Sequence, residues 1–522
     1  MEKLKAVYGD EIVGSISGWD RIRFRGTIRW LASMRGIGSF MSTRGILLKD
    51  FGKWAEGITK AVRKRCAEQA ARMKIPMLYL RSSGIDKEAM ARRIAQDRDV
   101  REGDICMFSV VEPCGAPLVR ANRSTKKLEI EIGHRKCVWI YHYWNDPVVG
   151  FGHTRLQTWL PLSATICING RHWLERQLSR AGVEYIKDGN CFPYVADMHR
   201  AQGCMDEQLK TNWSDLLQGL LERNCPSVRR MLSSEPLTYY WSADETEWAT
   251  DVMFRSTNAL ERIFPSLLRY GLVSAQSPTL MRFFGKNVRD GKFCGRVPDE
   301  IATDLRKRYE GMRLKHWINR NSIKMYNKAG SILRIETTIN STRDFKVFRR
   351  PNDDSSRPAS WQKMRKGVSD LHRRAQVSQG CNQRYAEHLA AASIKETLLQ
   401  SAQDICSHTV KNGRRHRAIN PWRKDDFDTL QFLALGEQTI RGFRNRDLRQ
   451  WLYPDIDRTD RLAIRRASGR VTRRIQLFRA HGLIKKIPHT TRYSLTIKGR
   501  KVATAILAAS SVDTEQLMEM AA

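Results

Sequence analysis

The run 460-DRLAIRRASGRVTRRIQLFRAHGLIKKIPHTTRYSLTIKGR-500 reads as one long helix followed by two short strands. Leu462, Ile464, Val471, Ile475 and Phe478 fall largely at three-, four- and seven-residue steps, the period of a helix with one buried face. His481-Gly482 is placed to cap it. Residues 483–487 and 493–496 alternate as strands, and Pro488-His489-Thr490-Thr491-Arg492 between them forms a wing. Upstream, Asp425, Asp426 and Asp428 open a helix where its positive end favours carboxylates. Leu430, Phe432, Leu433 and Leu435 supply its apolar face, and Gly436 is placed to end it. A second helix covers 445–452 and stops at Tyr453-Pro454. Lys498-Gly499-Arg500 leads into a last apolar helix over 502–508. This order predicts a winged helix-turn-helix domain over 421–510.

The charge on this module points to a use. Residues 441–500 hold 17 Lys and Arg against 4 Asp. Arg465, Arg466, Arg470, Arg473, Arg474 and Arg479 lie on the long helix, and 466, 470, 473 and 474 share a face. Such a helix in a major groove reaches base edges and phosphates. Arg465, Arg466, Arg470, Arg473, Arg474 and the wing's Arg492 are therefore the candidate DNA-binding residues. The other reading is a solvated basic face on a winged helix that binds protein.

The excess of positive charge extends over the whole chain: 522 residues carry a formal net charge of +36. That field favours a polyanionic partner and predicts salt-sensitive binding. A hydrophobic content of 41% supports ordinary buried cores, and this length allows three or four domains. No apolar run approaches the length of a membrane span and no signal-peptide pattern is present, so the expectation is a cytoplasmic protein without a membrane partner. The 11 cysteines include no C-x-x-C pair and read as scattered reduced thiols. Cys406, His408 and His416 lack a fourth partner for zinc. No Walker, Rossmann or HExxH pattern occurs.

Near the N-terminus Arg21, Arg23 and Arg25 alternate with Ile22 and Phe24, the period of a half-buried strand. Asp20 precedes them. A carboxylate beside a strand can present a metal ligand; the blander reading, preferred for a single residue, is a turn Asp that pairs with one of these arginines, and Asp20 is kept as a candidate. Short strands are expected at 77–80, 106–112, 127–132 and 138–144, and a helix at 172–178 ending at Gly182. A mixed α/β unit with a mainly antiparallel sheet fits residues 1–200. Residues 205–310 read mostly as helices, and the acidic island Asp244, Glu245, Glu247 and Asp251 there reads as charges on a helix's first turn, with a metal site as the alternative.

Residues 321–340 form a hairpin turned at Ala329-Gly330. Lys324, Tyr326 and Lys328 share a face of one strand, and Arg334, Glu336 and Thr338 a face of the other. If the two faces coincide, the set suits phosphodiester chemistry: Tyr326 as nucleophile, Glu336 on a divalent metal, Lys324 and Arg334 on the developing phosphate charge. The alternative is a cross-strand salt-bridged hairpin. Residues 349–362 and 409–421 read as linkers, with a basic helical stretch between them.

The phrases GWDRIRFRGT, HTRLQTWLP, WATDVMF, KHWINRNSIKMYNKAGSILRIETTIN, RKGVSDLHRRA and LFRAHGLIKKIPHTTRYSLTIKGR resemble those of a widespread family of long, basic bacterial proteins with a C-terminal winged helix, a likeness that implies no settled activity. Tyr326-x-Lys328 followed by Leu333-Arg334-x-Glu336 is locally similar to strands of rolling-circle replication initiators, which nick DNA with a Tyr beside a metal held by His and carboxylates. The chain has no His-hydrophobic-His pair; Gly152-His153-Thr154-Arg155 supplies one histidine. The candidate metal ligands are thus Asp20 and Glu336 from their strands and His153 from the resemblance, and an enzyme built on them would use Mg²⁺ or Mn²⁺.

The expected organisation is α+β and multidomain: an α/β nucleic-acid-binding region over 1–200, a helical region with the hairpin over 201–350, a basic helical linker over 351–420 and the winged helix over 421–510. Three functions follow as alternatives. One is a DNA-binding protein of a mobile element or replicon with metal-dependent nicking or strand-transfer activity. The second is a non-enzymatic DNA-binding regulator. The third is a partner of a structured RNA, favoured if Trp139, Tyr141, Tyr143 or Trp159 is exposed for stacking.

Overall fold

The computed structural model describes residues 2–232, 237–286, 288–289, 292–293, 300–308, 311–351, 356–392, 402–435, 438, 442–457, 459–488 and 490–513. Gly436 and His489, which the sequence places at a helix end and in the wing, lie outside them. In chain order the main strands are β1 (Ile12–Thr27), β2 (Met77–Leu80), β3 (Gly103–Asn122), β4 (Lys127–Asp146), β5 (Gly150–Gln157), β6 (Ala164–Asn169), β7 (Tyr185–Asp188), β8 (Cys191–Val195), β9 (Tyr240–Phe254), β10 (Val288–Arg289), β11 (Lys292–Phe293), β12 (Ile301–Arg308), β13 (Gly311–Ile318), β14 (Asn321–Lys328) and β15 (Ile332–Ile339). The protein is mixed α/β with a large, mainly antiparallel sheet.

The chain forms two compact units, one of residues 15–251 and 336–379, the other of residues 1–14, 252–335 and 380–522. Divisions near residues 200, 350 and 420, expected from composition, do not coincide with them. Strands β1, β9 and β15 each contribute residues to both.

In the first unit the strand order is β15-β9-β1-β6-β5-β4-β3-β2. Neighbours from β1 to β3 are antiparallel, and β2 joins β3 in parallel. The strands expected at 106–112, 127–132 and 138–144 are parts of one long hairpin, β3 and β4, registered from Gly103 opposite Asn145 to Asn122 opposite Lys127. Ile22 and Phe24 of β1 pack into the core with Phe108, Ile140, Trp144 and Leu156, while Arg21, Arg23 and Arg25 between them are exposed. This is the alternation read from the sequence. Helix 170–181 ends at Gly182 with φ of 65°, the left-handed cap expected there.

The stretch 240–254, expected to be helical, is instead β9. Its aromatic and β-branched residues favour a strand, and its carboxylates are met from the neighbouring strand: Arg21 of β1 pairs with Glu245 and Glu247, and Arg25 with Asp244 at 2.7 Å. The linker expectations also give way to structure, since Lys346–Arg349 pairs with Ser360–Lys363 and Thr409–Lys411 with Arg414–His416.

In the second unit the strand order runs β12-β13-β14-β15. β14 and β15 are the hairpin expected at 321–340, and Ala329 and Gly330 take φ of 49° and 74° at its turn, the positive values a tight hairpin connection needs. The C-terminal part holds helices Lys424–Ala434, Asn445–Leu452 and Arg461–Ala480, the antiparallel pair Ile484–Lys486 and Tyr493–Leu495, and helix Ile497–Ser510. Asp460 caps the long helix by accepting from the N–H groups of Leu462 and Ala463, both at 2.9 Å. Leu430, Leu433, Phe443, Leu448, Val471, Ile475, Phe478 and Val502 form a core of their own.

Candidate metal centre

Three carboxylates converge in the first unit. Asp20 of β1, Glu247 of β9 and Glu336 of β15 each offer an oxygen, and these oxygens lie within 4.8 Å of one another. β15, β9 and β1 are consecutive strands of the sheet, so the spacing between neighbouring strands brings the groups side by side. Asp20 and Glu336 are buried, and Glu247 is half-buried.

Surrounding groups fix these side chains. Asn190, in the turn between β7 and β8, donates its amide to both oxygens of Asp20, at 2.9 and 3.1 Å. Arg171 is fully buried in the first turn of helix 170–181. Its Nη2 lies 2.9 Å from Asp251, and its Nε 3.7 Å from Asp20. That helix starts against β1 with no room to spare: a Cβ on Gly170 would sit 1.6 Å from the Trp19 carbonyl oxygen. Trp19 and Trp248, each next in sequence to a carboxylate of the cluster, pack edge to face at 4.9 Å. The Trp248 indole N–H donates to Gln379 at 2.7 Å.

Arg21 Nε lies 3.1 Å from Glu247. Burial works against the Arg21 charge, but Glu247, Glu245 and Glu336 outweigh it and raise the guanidinium pKa. The donor set is all oxygen. Hard cations that take carboxylate ligands, Mg²⁺, Mn²⁺ or Ca²⁺, fit such a set, whereas Zn²⁺ prefers sites with His or Cys. Two oxygens on one ion lie no farther apart than twice the metal–oxygen distance, about 4.1 Å for Mg²⁺ and about 5.2 Å for Ca²⁺; the 4.8 Å limit of the cluster meets the wider bound, and Mg²⁺ requires the oxygens to draw closer.

The residues singled out from sequence separate into groups. Asp20 and Glu336 come together, and Glu247 joins them. His153 is not in the cluster: on β5 it packs against Tyr143 and Tyr141, with ring centroids at 4.9 and 5.7 Å, and burial pushes its pKa down to about 4. Arg334 is fully buried on β15. Lys324 and Tyr326 lie in the second unit, where they line a cleft of about 200 Å³ with Arg308, Gly311 and Arg313. Sequence reasoning placed Glu247 in the acidic run 244–251 and read that run as helix charge in preference to a metal site. The usable signal was charge complementarity at a common period: Glu245-x-Glu247 matches Arg21-x-Arg23-x-Arg25 as cross-strand neighbours do.

On the long C-terminal helix Arg465, Arg466, Arg470 and Arg473 are exposed. Arg474 is not available in the same way, because it pairs with Asp425 at 2.9 Å and with the buried Asp426 at 3.1 Å. Arg492 donates to the Gly442 carbonyl at 3.4 Å. Trp139, Tyr141, Tyr143 and Trp159 are all buried, so none offers an exposed stacking face. Among the described residues no helix is long and apolar enough to cross a membrane. Compared with known proteins, the chain matches no protein-family model, no curated protein and no solved structure.

Proposed function

We propose that this protein binds DNA and cleaves a phosphodiester bond with a divalent cation, Mg²⁺ or Mn²⁺, held by Asp20, Glu247 and Glu336. The observation that carries the reading is the convergence of three carboxylates from three neighbouring strands in a chain of net charge +36. A cation there supplies Lewis-acid polarisation of a phosphate oxygen and a more acidic bound water. Asp20 is held in place by Asn190, and Arg21 and Arg171 supply positive charge beside the carboxylates. The positive field draws in the polyanion.

The C-terminal module supports duplex binding. Its order of helices, then two strands, then a helix supports a winged-helix reading, and Phe443 adds an isolated antiparallel bridge by exchanging two 2.8 Å backbone hydrogen bonds with Tyr493. Arg466, Arg470 and Arg473 then form an exposed face on the helix placed for a major groove.

The test uses end-labelled single- and double-stranded DNA and RNA, with Mg²⁺ or Mn²⁺ against EDTA. Cleavage that requires the metal and is lost in Asp20→Asn and Glu336→Gln, with binding retained, supports the proposal. Binding without cleavage under every metal condition overturns the enzymatic part. A second reading would then stand on the pairing of Arg21 with Glu247 and of Arg171 with Asp251: the carboxylates are structural counterions, and the protein is a non-enzymatic DNA-binding regulator.

A further inference from the structure

The sheet face formed by β12, β13 and β14 is built of cations and aromatic rings. Register places Arg306 opposite Arg313 and Arg313 opposite Tyr326. The next row is Asp304, Lys315 and Lys324, and the row after it is Ala302, Trp317 and Ser322. Because side chains alternate along a strand, all three rows lie on one face. On β13 and β14 the opposite parity is buried at Leu314, Ile323 and Met325, so there the other face is the packed one; on β12 Leu305, of that same parity, is 37% exposed.

Two features of this face run against stability. Arg306 directly opposes Arg313, and Lys315 directly opposes Lys324; like charges in such positions repel. Asp304 offsets part of this by pairing with Arg306 and lying 3.7 Å from Arg313. Burial, together with Arg308 and Arg306, still lowers the Arg313 pKa against the pull of Asp304. The aromatic rings are interleaved with the cations: Lys315 Nζ lies 4.6 Å from the Trp317 ring centre and Lys324 Nζ 5.8 Å from that of Tyr326. Arg308, Arg313, Lys324 and Tyr326 border the cleft of about 200 Å³, smaller than the roughly 300–1,000 Å³ of small-molecule pockets.

We infer that this face is a binding track for a single-stranded polynucleotide, with Arg306, Arg308, Arg313 and Lys324 on its phosphates and Tyr326 and Trp317 as stacking platforms for its bases. Cations tracking a backbone beside aromatic rings are the recurring means of holding single strands without sequence preference. The role assigned to Tyr326 is thus stacking in place of nucleophilic attack. The inference rests on the reading of the protein as a nucleic-acid binder and adds the strand state of the ligand.

The test is fluorescence anisotropy of the full chain with an oligothymidylate and an oligouridylate, each about 20 nucleotides long, and with a DNA duplex. The variants are Arg306→Ala/Lys324→Ala, Tyr326→Phe, Tyr326→Leu and the helix triple Arg466→Ala/Arg470→Ala/Arg473→Ala. Loss of the two cations is expected to weaken single-strand binding by about tenfold or more and to reduce the salt slope by about 0.7 per contact removed. Tyr326→Leu weakens it by about tenfold while Tyr326→Phe retains it, because the ring stacks and the hydroxyl does not. The helix triple weakens duplex binding and leaves single-strand binding in place. The two oligonucleotides show whether the deoxy or the ribo strand binds more tightly. If the wild type binds duplex alone, or if Arg306→Ala/Lys324→Ala binds single strands with unchanged affinity and slope, the track is overturned while nucleic-acid binding stands. If the wild type binds none of the three probes, the nucleic-acid reading itself fails.

Discussion

Asn190 and Asp20, 170 residues apart in sequence, meet through two hydrogen bonds from one amide group to both carboxylate oxygens. A carboxylate oxygen has lone pairs beyond the one such a bond uses. Asn190 therefore orients Asp20 and leaves it able to bind a cation. Partners of this kind typically contribute 10–100-fold to metal affinity. Asn190→Ala is expected to weaken Mn²⁺ binding by about that factor with the fold intact, measured by isothermal titration and circular dichroism.

Gly170 is the second positioning element. With Trp19 O at 1.6 Å from its would-be Cβ, Gly170→Ala must displace either helix 170–181 or the strand that carries Asp20. Overpacking of this kind costs about 1–3 kcal/mol. The expected result is a lowered urea midpoint together with reduced Mn²⁺ affinity. An unchanged midpoint would show that the strand yields without cost.

Arg474 and Arg470 share a helix face but have different surroundings. Arg474 is 13% exposed and pairs with Asp426, which Arg417 also holds at 2.7 Å. Arg474→Ala is expected to cost about 1–3 kcal/mol, as removing one partner of a buried hydrogen-bonded group does. Arg470 is exposed, so Arg470→Ala is expected to change stability by no more than about 0.5 kcal/mol while weakening duplex binding. Chemical denaturation and duplex anisotropy on both variants separate the two roles.

His153 gives a pH dependence. Burial holds its folded pKa down to about 4, against about 6.5 in an unfolded chain. Below about pH 6.5 the unfolded chain takes up a proton that the folded chain refuses, so its contribution is lost as pH falls toward 4. His316, also buried and held at about 4, acts in the same direction. Thermal unfolding at about pH 7 and about pH 5 should show a lower midpoint at the lower pH. His153→Phe, which keeps a ring against Tyr141 and Tyr143, should reduce the difference.

What could be read beforehand depended on how local the cause was. The hairpin at 321–339 was legible because Ala329-Gly330 and the two-residue alternation lie within the segment. The helix 461–480 was legible from its period and from His481-Gly482 at its end. β9 was not: its run of carboxylates resembles a helix's first turn, and what makes it a strand is Arg21 and Arg25, more than 200 residues away. The same distance hid the centre. Asp20 and Glu336 each stood out on a strand, but Glu247 acquires its role only when β9 lies between β15 and β1. His153 stood out because histidine is a frequent ligand; the aromatic packing around it comes from β4, which its own segment does not specify.

The most direct measurement of the central claim is Mn²⁺ binding followed by electron paramagnetic resonance on wild type, Asp20→Asn, Glu247→Gln and Glu336→Gln. One saturable Mn²⁺ per chain in the wild type, lost in each variant while circular dichroism stays the same, is the predicted result. No saturable binding in the wild type, or equal binding in all four proteins, would contradict the assignment of Asp20, Glu247 and Glu336 as a metal centre.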